Sequence, residues 1–356
     1  MSMSFSIASL GEEPGRRFVE LVKLCELLGF DGFTHADEKW TRDVYVRLAT
    51  AAAHTSRIGL GITVTDPYTR HPALTAQATA TLAEASGGRL RVYLGAGSHF
   101  ETLPGYAVDR PAIGIRETIE LARRLWSGER VTLKGKVVRF LNGKLDFPVD
   151  PELAPSLWVA GRGKLVLRMA GEVADGVLIG SFATRGGIDY AKGRIAAGLE
   201  RSGRAWKDVG LASWIYVSLL DDEDEEVPDN VRRGVSHALW SSRPIVLEIL
   251  DDLATDVTDE LRSFLRDAPH EWSPEIMAEL RRIIPRGLID SLAVVGTPEQ
   301  VAGRLAALAD LGIEECVIWP FTREGEDVED FISRFAVEVM PRVLGKGSRG
   351  AYQLVD

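Results

Sequence analysis

Residues 61–77 read GITVTDPYTRHPALTAQ, in which a β-rich run ends in a turn and a helical pattern follows. The run begins near residue 57, and its β-branched side chains are typical of a buried strand. Pro72 then opens a helix at a position where its missing N–H has no partner to lose. Gly87-Gly88 ends this helix, and the next apolar run starts at Leu90. The stretch therefore predicts one strand–helix–strand unit.

The same alternation continues along the whole chain. Eight strands are predicted, at residues 5–9, 32–36, 57–65, 90–96, 157–160, 177–180, 211–219 and 316–320, with helical patterns between them. Eight β-then-α units in succession favour a closed parallel barrel, the (β/α)8 or TIM barrel, over an open doubly wound sheet. The open sheet stays as the alternative. We expect a single α/β domain over residues 1–356.

Two segments interrupt this alternation. Residues 130–148 predict a hairpin inserted after the fourth helix, with Gly135 and Asn142-Gly143 as turn signals. Residues 222–290 predict several helices after strand seven, which we expect to cover the barrel mouth or an interface. Thr297-Pro298-Glu299-Gln300 then restarts the regular pattern with the signature of a capped helix N-terminus.

Composition and charge narrow the function classes. The formal net charge is −10, which argues against nucleic acid or an anionic membrane surface as a partner. No apolar run reaches the ~18 residues that a membrane-spanning helix needs, and no secretory signal is visible. Cys25 and Cys316 lie in apolar patterns typical of buried free thiols. We therefore expect a cytoplasmic protein.

Several catalytic chemistries lack their sequence signatures. The six histidines form no pair with metal-ligand spacing, so we expect no metal site. No Walker loop or nucleophile elbow is present, and Gly95-Ala96-Gly97 lacks the third glycine of a dinucleotide fingerprint. Lys164 could form a Schiff base, but its glycine-flanked helix start favours an exposed or anion-contacting lysine. Glycine-rich strand ends without a metal indicate a bound cofactor that supplies the reactivity.

The quoted stretch continues into SGGR at 86–89 and LGAG at 94–97. Together these motifs closely resemble the luciferase-like superfamily of flavin and deazaflavin oxidoreductases, and within it the branch of methylenetetrahydromethanopterin reductase, which uses coenzyme F420. Further matches are GFDG at 29–32, AD at 36–37, the AG and ADG motifs within 170–176, and GTPE at 296–299, so the resemblance spans nearly the whole chain. It implies an F420-dependent oxidoreductase that acts on a small organic molecule, with a homodimer as the expected assembly.

Two alternatives to this function stay open. The chain could be an FMN-dependent monooxygenase of the same superfamily, or a non-catalytic flavin-binding protein. A tetrahydropterin, an alcohol or ketone, and an aromatic acceptor are all compatible substrates. A sugar phosphate is disfavoured, because one sugar-phosphate-oxidising branch has Glu in the loop where this chain reads Ser98-His99-Phe100, and Lys where this chain reads Phe182-Ala183.

The resemblance also implies which residues contact the cofactor ring. A non-proline cis peptide is implied at Thr63–Val64, where the backbone, with Thr65, would lie against one face of the ring; an ordinary β-bulge is the alternative. Asp37 matches the acid beside the deazaflavin ring, although it could instead cap the next helix. Many relatives have His at the following position, where this chain has Glu38.

Two glycine-containing loops are candidates for the cofactor phosphate. Gly161-Arg162-Gly163-Lys164 lies between strand five and a helix, and helix N-terminal N–H groups with flanking cations suit a phosphate. Without the resemblance this segment reads as a tight loop. Gly180-Ser181, after strand six, is a further candidate near the same phosphate.

The remaining candidates are ring contacts, proton donors and pocket walls. Gly97 and Ser98 follow strand four, where the resemblance implies ring contacts. His99 could donate a proton, since imidazole titrates near neutral pH, or it could be a loop histidine without a role. Glu12 or Glu13, after strand one, are other candidate acids. Five aromatic residues could either line a substrate pocket or pack in the core: Trp40, Tyr68, Trp214, Trp319 and Phe321.

Overall fold

The computed structural model describes residues 3–11, 13–98, 100–103, 105–254, 256–269 and 273–345. In chain order its strands are β1 (Ser4–Ser9), β2 (Gly32–His35), β3 (Gly59–Thr65), β4 (Leu90–Leu94), β5 (Val131–Lys134), β6 (Arg139–Gly143), β7 (Ser156–Gly161), β8 (Gly176–Gly180), β9 (Gly210–Leu219), β10 (Ala293–Gly296) and β11 (Glu315–Pro320). Eight of them, β1, β2, β3, β4, β7, β8, β9 and β11, pair in parallel in this order, and β11 pairs back onto β1. The predicted closed barrel is confirmed, and the open sheet is excluded.

The helices are α1 (Gly15–Leu27), α2 (Val44–His54), α3 (Pro72–Ala85), α4 (Pro111–Trp126), α5 (Lys164–Val173), α6 (Arg185–Ser202), α7 (Asp229–Ser241), α8 (Arg243–Leu253), α9 (Asp259–Asp267), α10 (Pro274–Ile283), α11 (Arg286–Leu292), α12 (Pro298–Asp310), α13 (Val328–Arg334) and α14 (Met340–Leu344). A π-helical turn over Phe335–Val339 joins the last two. None of the described helices combines the length and apolarity needed to cross a membrane.

Local signals fix several helix ends as the sequence predicts. Pro72 is the first residue of α3, and the His71 imidazole accepts a hydrogen bond from the Ala73 N–H at 3.1 Å. Thr297 and Gln300 form the reciprocal capping box that opens α12. Because these bonds satisfy backbone groups that have no partner within the helix, they set where each helix begins.

Both insertions have the predicted type. β5 and β6 form an antiparallel hairpin, although its turn lies at Gly135 and Asn142-Gly143 instead ends β6. Five helices, α7 to α11, lie between β9 and β10. β10 itself is not predicted; it pairs with Tyr216–Leu219 of β9, beyond the stretch Gly210–Trp214 that pairs with β8. β10 has only four residues and directly follows helix α11. A run this short shows no periodicity that would distinguish a strand from the end of the helix.

Helix α6 is predicted only as the connection between strands six and seven, without bounds, because four glycines in its 18 residues weaken the helical pattern. Close packing accounts for three of these four glycines. A Cβ atom at Gly186 would lie 2.0 Å from the Asp252 carbonyl oxygen, and one at Gly187 would lie 2.7 Å from Phe182 Cβ. A Cβ atom at Gly198 would lie 2.0 Å from the Arg168 carbonyl oxygen of α5. The two helices therefore pack so closely that only glycine fits at this contact.

The barrel interior is filled with side chains. Tyr93, Trp158, Leu178 and Val317 form its core. Below them, at the amino ends of the strands, the buried Glu315 accepts a hydrogen bond from Ser6 Oγ at 2.5 Å and forms an ion pair with Arg91. This polar layer links β1, β4 and β11 across the barrel floor. Since the interior is closed, a ligand site has to lie at one end of the barrel.

Replacing Glu315 by alanine should lower the free energy of unfolding by roughly 2–4 kcal/mol, because Arg91 and Ser6 lose their shared partner. Urea unfolding followed by circular dichroism measures this loss. Glu314→Ala, at the adjacent exposed position, is the matched control and should change stability little. Equal stabilities of the two variants would show that the floor network does not stabilise the barrel.

Candidate active site

The parallel barrel places the carboxyl ends of all eight strands at one end, here called the mouth. The described candidates all lie there: Glu13 after β1, Asp37 after β2, Thr63, Val64 and Thr65 at the end of β3, Gly97 and Ser98 after β4, Gly161, Arg162, Gly163 and Lys164 around the end of β7, and Gly180 and Ser181 at the end of β8. Glu12 and His99 lie outside the described residues. Residues far apart in sequence are thus collected on one face of the molecule.

The end of β3 has the backbone that the resemblance implies. The peptide bond Thr63–Val64 is cis, which confirms that prediction, and the pairing of β3 with β4 also shifts register between Thr63 and Thr65. Val64 packs against the upper part of the barrel interior. A Cβ atom at Gly95 of the neighbouring chain segment would lie 2.8 Å from Val64 Cγ2, so glycine there makes room for the valine.

Asp37 is partly buried beside this bend, and its carboxyl group forms a hydrogen bond with the Thr65 side chain. Burial raises the pKa of Asp37, whereas the Thr65 hydrogen bond and the positive charge of Arg70 act in the opposite direction. The alternative that Asp37 caps α2 is wrong. Asp43 is the cap, and its carboxylate accepts a hydrogen bond from the Val46 N–H at 3.0 Å.

Charged side chains tie together the loops that follow β2, β3 and β4. Lys39 Nζ donates to the Ser98 carbonyl oxygen at 2.5 Å and lies 3.4 Å from Asp66 Oδ2, with both side chains 5% exposed. Glu38 accepts hydrogen bonds from Ser98 Oγ at 3.0 and 3.1 Å. Ser98, a predicted ring contact, is thus held by the loop after β2. Sequence reasoning missed Lys39 and Asp66, although charged residues just after barrel strands are a usable signal.

Gly97 allows this close approach of the loops. Its φ is +74°, a left-handed conformation, and a Cβ atom there would lie 2.6 Å from Asp66 Oδ2. Asp66 also accepts hydrogen bonds from the backbone N–H groups of Tyr68 and Thr69, both at 2.7 Å. The buried carboxylate is therefore surrounded by donors as well as by Lys39.

The predicted phosphate loop lies at the N-terminus of α5. Gly163 is the N-cap residue and supplies no side-chain hydrogen bond, so the first N–H groups of the helix face outward without a side-chain cap. Arg162 donates to two uncharged acceptors of α7, the Ala238 carbonyl oxygen at 3.4 Å and Ser241 Oγ at 3.3 Å, and burial lowers its pKa. Lys164 is exposed, 3.9 Å from Glu248, as the sequence predicts for a lysine at this helix start.

Gly180 and Ser181 lie next to this loop. A Cβ atom at Gly180 would lie 3.2 Å from Arg162 Cγ, so the arginine stem crosses the end of β8. Ser181 is buried with a φ of +53°, and its backbone N–H donates to the Trp214 carbonyl oxygen at 2.9 Å. The second predicted phosphate candidate therefore borders the first.

A cavity of about 520 Å³ opens on the opposite side of the mouth, between the ends of β1 and β11 and helix α7. Helix α7 of the insertion covers this side, as expected from the sequence. The polar and aromatic lining residues are Ser9, Glu13, Asn230, Arg233, His237, Trp319, Phe321 and Thr322. The cavity thus combines one carboxyl group, one imidazole and one guanidinium with an aromatic wall, which suits a planar polar ligand.

The five aromatic candidates divide between cavity, core and surface. Trp319 and Phe321 line the cavity, with ring planes 24° apart and centroids 6.4 Å apart. Trp214 packs on Trp319 inside the barrel. The Tyr68 hydroxyl donates to a backbone carbonyl at 2.6 Å. Trp40 is 68% exposed and is not part of the cavity wall. Within the described part of the chain, no cluster of three or more His, Cys, Asp or Glu side chains is arranged to hold a metal ion.

Comparison with known proteins gives one matching family model and several long relatives. Residues 3–315 match the family described as luciferase-like monooxygenase. The 5,10-methylenetetrahydromethanopterin reductase of Archaeoglobus fulgidus is 31% identical over 338 residues, which cover 93% of this chain and 97% of the relative. An F420-dependent glucose-6-phosphate dehydrogenase of Nocardia farcinica is 26% identical over 348 residues, 92% of this chain and 94% of the relative.

A solved structure shares the fold. The coenzyme F420 dependent tetrahydromethanopterin reductase from Methanopyrus kandleri superimposes with a TM-score of 0.79 over 96% of this chain and all of that chain, at 24% sequence identity. At this identity the likeness establishes the architecture, and the chemistry has to be argued from the residues of the mouth.

The raised pKa of Asp37 predicts a pH-dependent stability. A carboxyl group whose pKa is higher in the folded state binds more protons when folded, so its burial destabilises the protein as the pH rises past its ordinary value of 3.8. Asp37→Asn should therefore match the wild type at pH 3 and be the more stable protein at pH 7. Urea unfolding at both pH values measures this.

Asp146→Asn, which removes an exposed carboxylate from the segment after the hairpin, controls for the loss of one negative charge. If Asp37→Asn were less stable than the wild type at pH 7, the carboxylate of Asp37 would be stabilised by its surroundings, contrary to this prediction.

Proposed function

The chain belongs to the luciferase-like monooxygenase family, and from this premise we propose that it is an oxidoreductase that transfers hydride between coenzyme F420 and a small organic substrate. The observation that carries the proposal is the match, over more than nine-tenths of both chains, to a methylenetetrahydromethanopterin reductase and to an F420-dependent dehydrogenase. The arrangement of residues at the mouth supports it.

The phosphate end of such a cofactor fits the loop between β7 and α5. A Cβ atom at Gly163 would meet only Ile245 Cδ1, at 3.9 Å, so there is open space beside the first N–H groups of α5. Arg162, whose two hydrogen bonds go to uncharged acceptors, can add a charge-assisted bond to a phosphate oxygen. We assign Gly161, Gly163, Arg162 and Lys164 to this end, with Gly180-Ser181 beside them.

The ring end fits the bend of β3. The backbone from Thr63 to Thr65 would support one face of the ring, Asp37 would lie at its edge, and Gly97-Ser98 would close the loop side. When bound, a deazaflavin supplies a ring carbon that carries hydride as an electron pair. The chain's own residues orient the ring and shield it from water, and the resulting proximity lowers the barrier to transfer.

The cavity beside β1 is the proposed substrate site. Trp319 and Phe321 exclude water from one side, and Glu13 offers a carboxyl group that can hold the transferred proton on its oxygen. His99 stays a predicted alternative proton donor. Since the Archaeoglobus relative is named a 5,10-methylenetetrahydromethanopterin reductase, a one-carbon unit on a tetrahydropterin is the first substrate to test.

We also propose that the protein is a cytoplasmic homodimer. Two observations support this. The buried thiols of Cys25 and Cys316 are both free, as in a reducing compartment. Val46 on α2 and Leu74 on the adjacent α3 are exposed apolar side chains that a second copy would cover. Light scattering of the purified protein would report the assembly.

The cofactor assignment is tested by titrating the purified protein with F420 and, in parallel, with FMN, following the fluorescence of each. We expect saturable binding of F420 and turnover of reduced F420 with a methylene-tetrahydropterin, whose methylene carbon accepts the hydride. Tight binding of FMN without binding of F420 would replace the proposal by a flavin monooxygenase. Binding without turnover of any acceptor would indicate a carrier protein.

Arg162→Met should weaken F420 binding by about 10- to 100-fold, because a charge-assisted hydrogen bond contributes roughly 1.5–3 kcal/mol. The matched control is Arg168→Met, on the exposed face of α5, the helix that follows the loop carrying Arg162, which should bind F420 like the wild type. Equal dissociation constants for both variants would remove Arg162 from the phosphate site.

A further inference from the structure

A buried arginine, Arg47, lies next to the substrate cavity. It is the one charged side chain among the buried residues of α2, and its side chain is 5% exposed. Burying a guanidinium is unfavourable unless it gains compensating partners. Its presence on the core-facing side of a helix therefore needs an explanation that packing alone does not give.

The partners of Arg47 belong to the segment that carries Glu13. Arg47 Nη1 lies 3.5 Å from Glu13 Oε2, and Arg47 Nη2 donates a hydrogen bond to the Glu13 carbonyl oxygen. Ser9 Oγ, at the end of β1, donates to the same Oε2 atom at 3.3 Å. Arg47 thus contacts both the backbone and the carboxyl group of Glu13. Glu13 in turn forms part of the cavity wall.

The surroundings hold the guanidinium in place and leave it charged. Its carbon lies 4.4 Å from the centroid of the Phe18 ring, a cation–π contact from α1. Burial lowers the pKa of Arg47 and the charge of Glu13 raises it. Burial and the nearby Arg47 together lower the pKa of His35 to about 4, so this imidazole is neutral at pH 7 and adds no second positive charge.

The loop after β1 is shaped to reach this arginine. Gly11 has a φ of +88°, and a Cβ atom there would lie 2.4 Å from His35 Cε1 and 3.2 Å from Arg47 Nη1. Arg42 Nη1 donates to the Gly11 carbonyl oxygen at 3.2 Å. Gly11 therefore lies directly against His35 and Arg47, and Glu13 contacts the same arginine.

We propose that Arg47 is a positioning residue that orients the Glu13 carboxyl group toward the substrate. The inference rests on the proposed function, in which the Glu13 O–H bond breaks and its proton goes to the substrate atom bonded to the carbon that gains hydride. Arg47 itself does not line the cavity. It acts by fixing one carboxyl oxygen, which keeps the group in a single orientation.

The test compares Arg47→Met, Arg47→Lys, Glu13→Gln and the double variant Arg47→Met/Glu13→Gln. In Arg47→Met we expect kcat to fall by about 10- to 100-fold, less than the roughly 100- to 10,000-fold that a general acid contributes, because the carboxyl group of Glu13 is still present. The dissociation constant of F420, measured by fluorescence, should stay within about twofold of the wild type, since proximity and ring binding are unchanged. Arg47→Lys should recover part of the lost kcat.

The double variant separates positioning from stability. If Arg47 acts through Glu13, the double variant should be no slower than Glu13→Gln alone. Arg89→Met is the matched control, because Arg89 ties the ends of α2 and α3 through backbone carbonyls far from the mouth. It should lower the melting temperature and leave kcat unchanged.

Three results would overturn the inference. The first is an unchanged kcat in Arg47→Met, the second is a multiplicative loss in the double variant, and the third is an equal loss of kcat in Arg89→Met. If Arg47→Met does not fold, Arg47→Lys replaces it, because lysine keeps a positive charge beside Glu13. Its kcat, alone and combined with Glu13→Gln, is then compared with that of the wild type. A wild-type protein that binds no F420 would instead overturn the proposed function, and the role of Arg47 with it.

Discussion

The pairing of β11 with β1 is the constraint on which the site depends. It closes eight parallel strands into a barrel, and a closed parallel barrel presents all its carboxyl ends at one mouth. Glu13 and Ser181 are 168 residues apart in sequence. Both lie at this mouth because each follows the carboxyl end of a strand, and all eight strands run in the same direction. The interior below is filled by Tyr93 and Trp158, so chemistry is confined to the loops.

Those loops are held by ionic contacts with low solvent exposure rather than by regular secondary structure. Lys39 and Asp66 join three of them, and Arg47 and Glu13 fix a fourth. Pairs of this kind are sensitive to the loss of one member, because the remaining charge stays buried without compensation. The mouth is therefore organised by contacts within the chain itself, and hydride transfer between two molecules requires such fixed positions.

Helix α7 connects the two halves of the proposed site. Its last turn accepts the hydrogen bonds of Arg162 beside the phosphate loop, and its middle lines the cavity with Arg233 and His237. Both contacts belong to a segment inserted after β9. An insertion can vary in length and sequence without disturbing the barrel, so it is the part of this fold in which substrate preference is most readily altered.

The sequence by itself determined the eight strands and several helix ends, and its resemblance to a known superfamily implied the cis bend at Thr63–Val64. Strand and helix patterns, and capping residues such as Thr297, are properties of neighbouring residues, and the bend came with a motif that resembles a known superfamily. Because the candidate residues follow predicted strands of a parallel barrel, they could be assigned to the mouth without knowing any distance between them.

Only the tertiary structure decided which groups meet. Asp43 rather than Asp37 caps α2, Trp40 faces solvent, and Ser6 meets Glu315 across 309 positions of sequence. Helix α6 and strand β10 likewise depend on contacts with α5 and β9 that no local pattern encodes. The physical reason is the same in each case: burial, ion pairing and close backbone approach are set by the packing of distant segments, and these energies override local propensity.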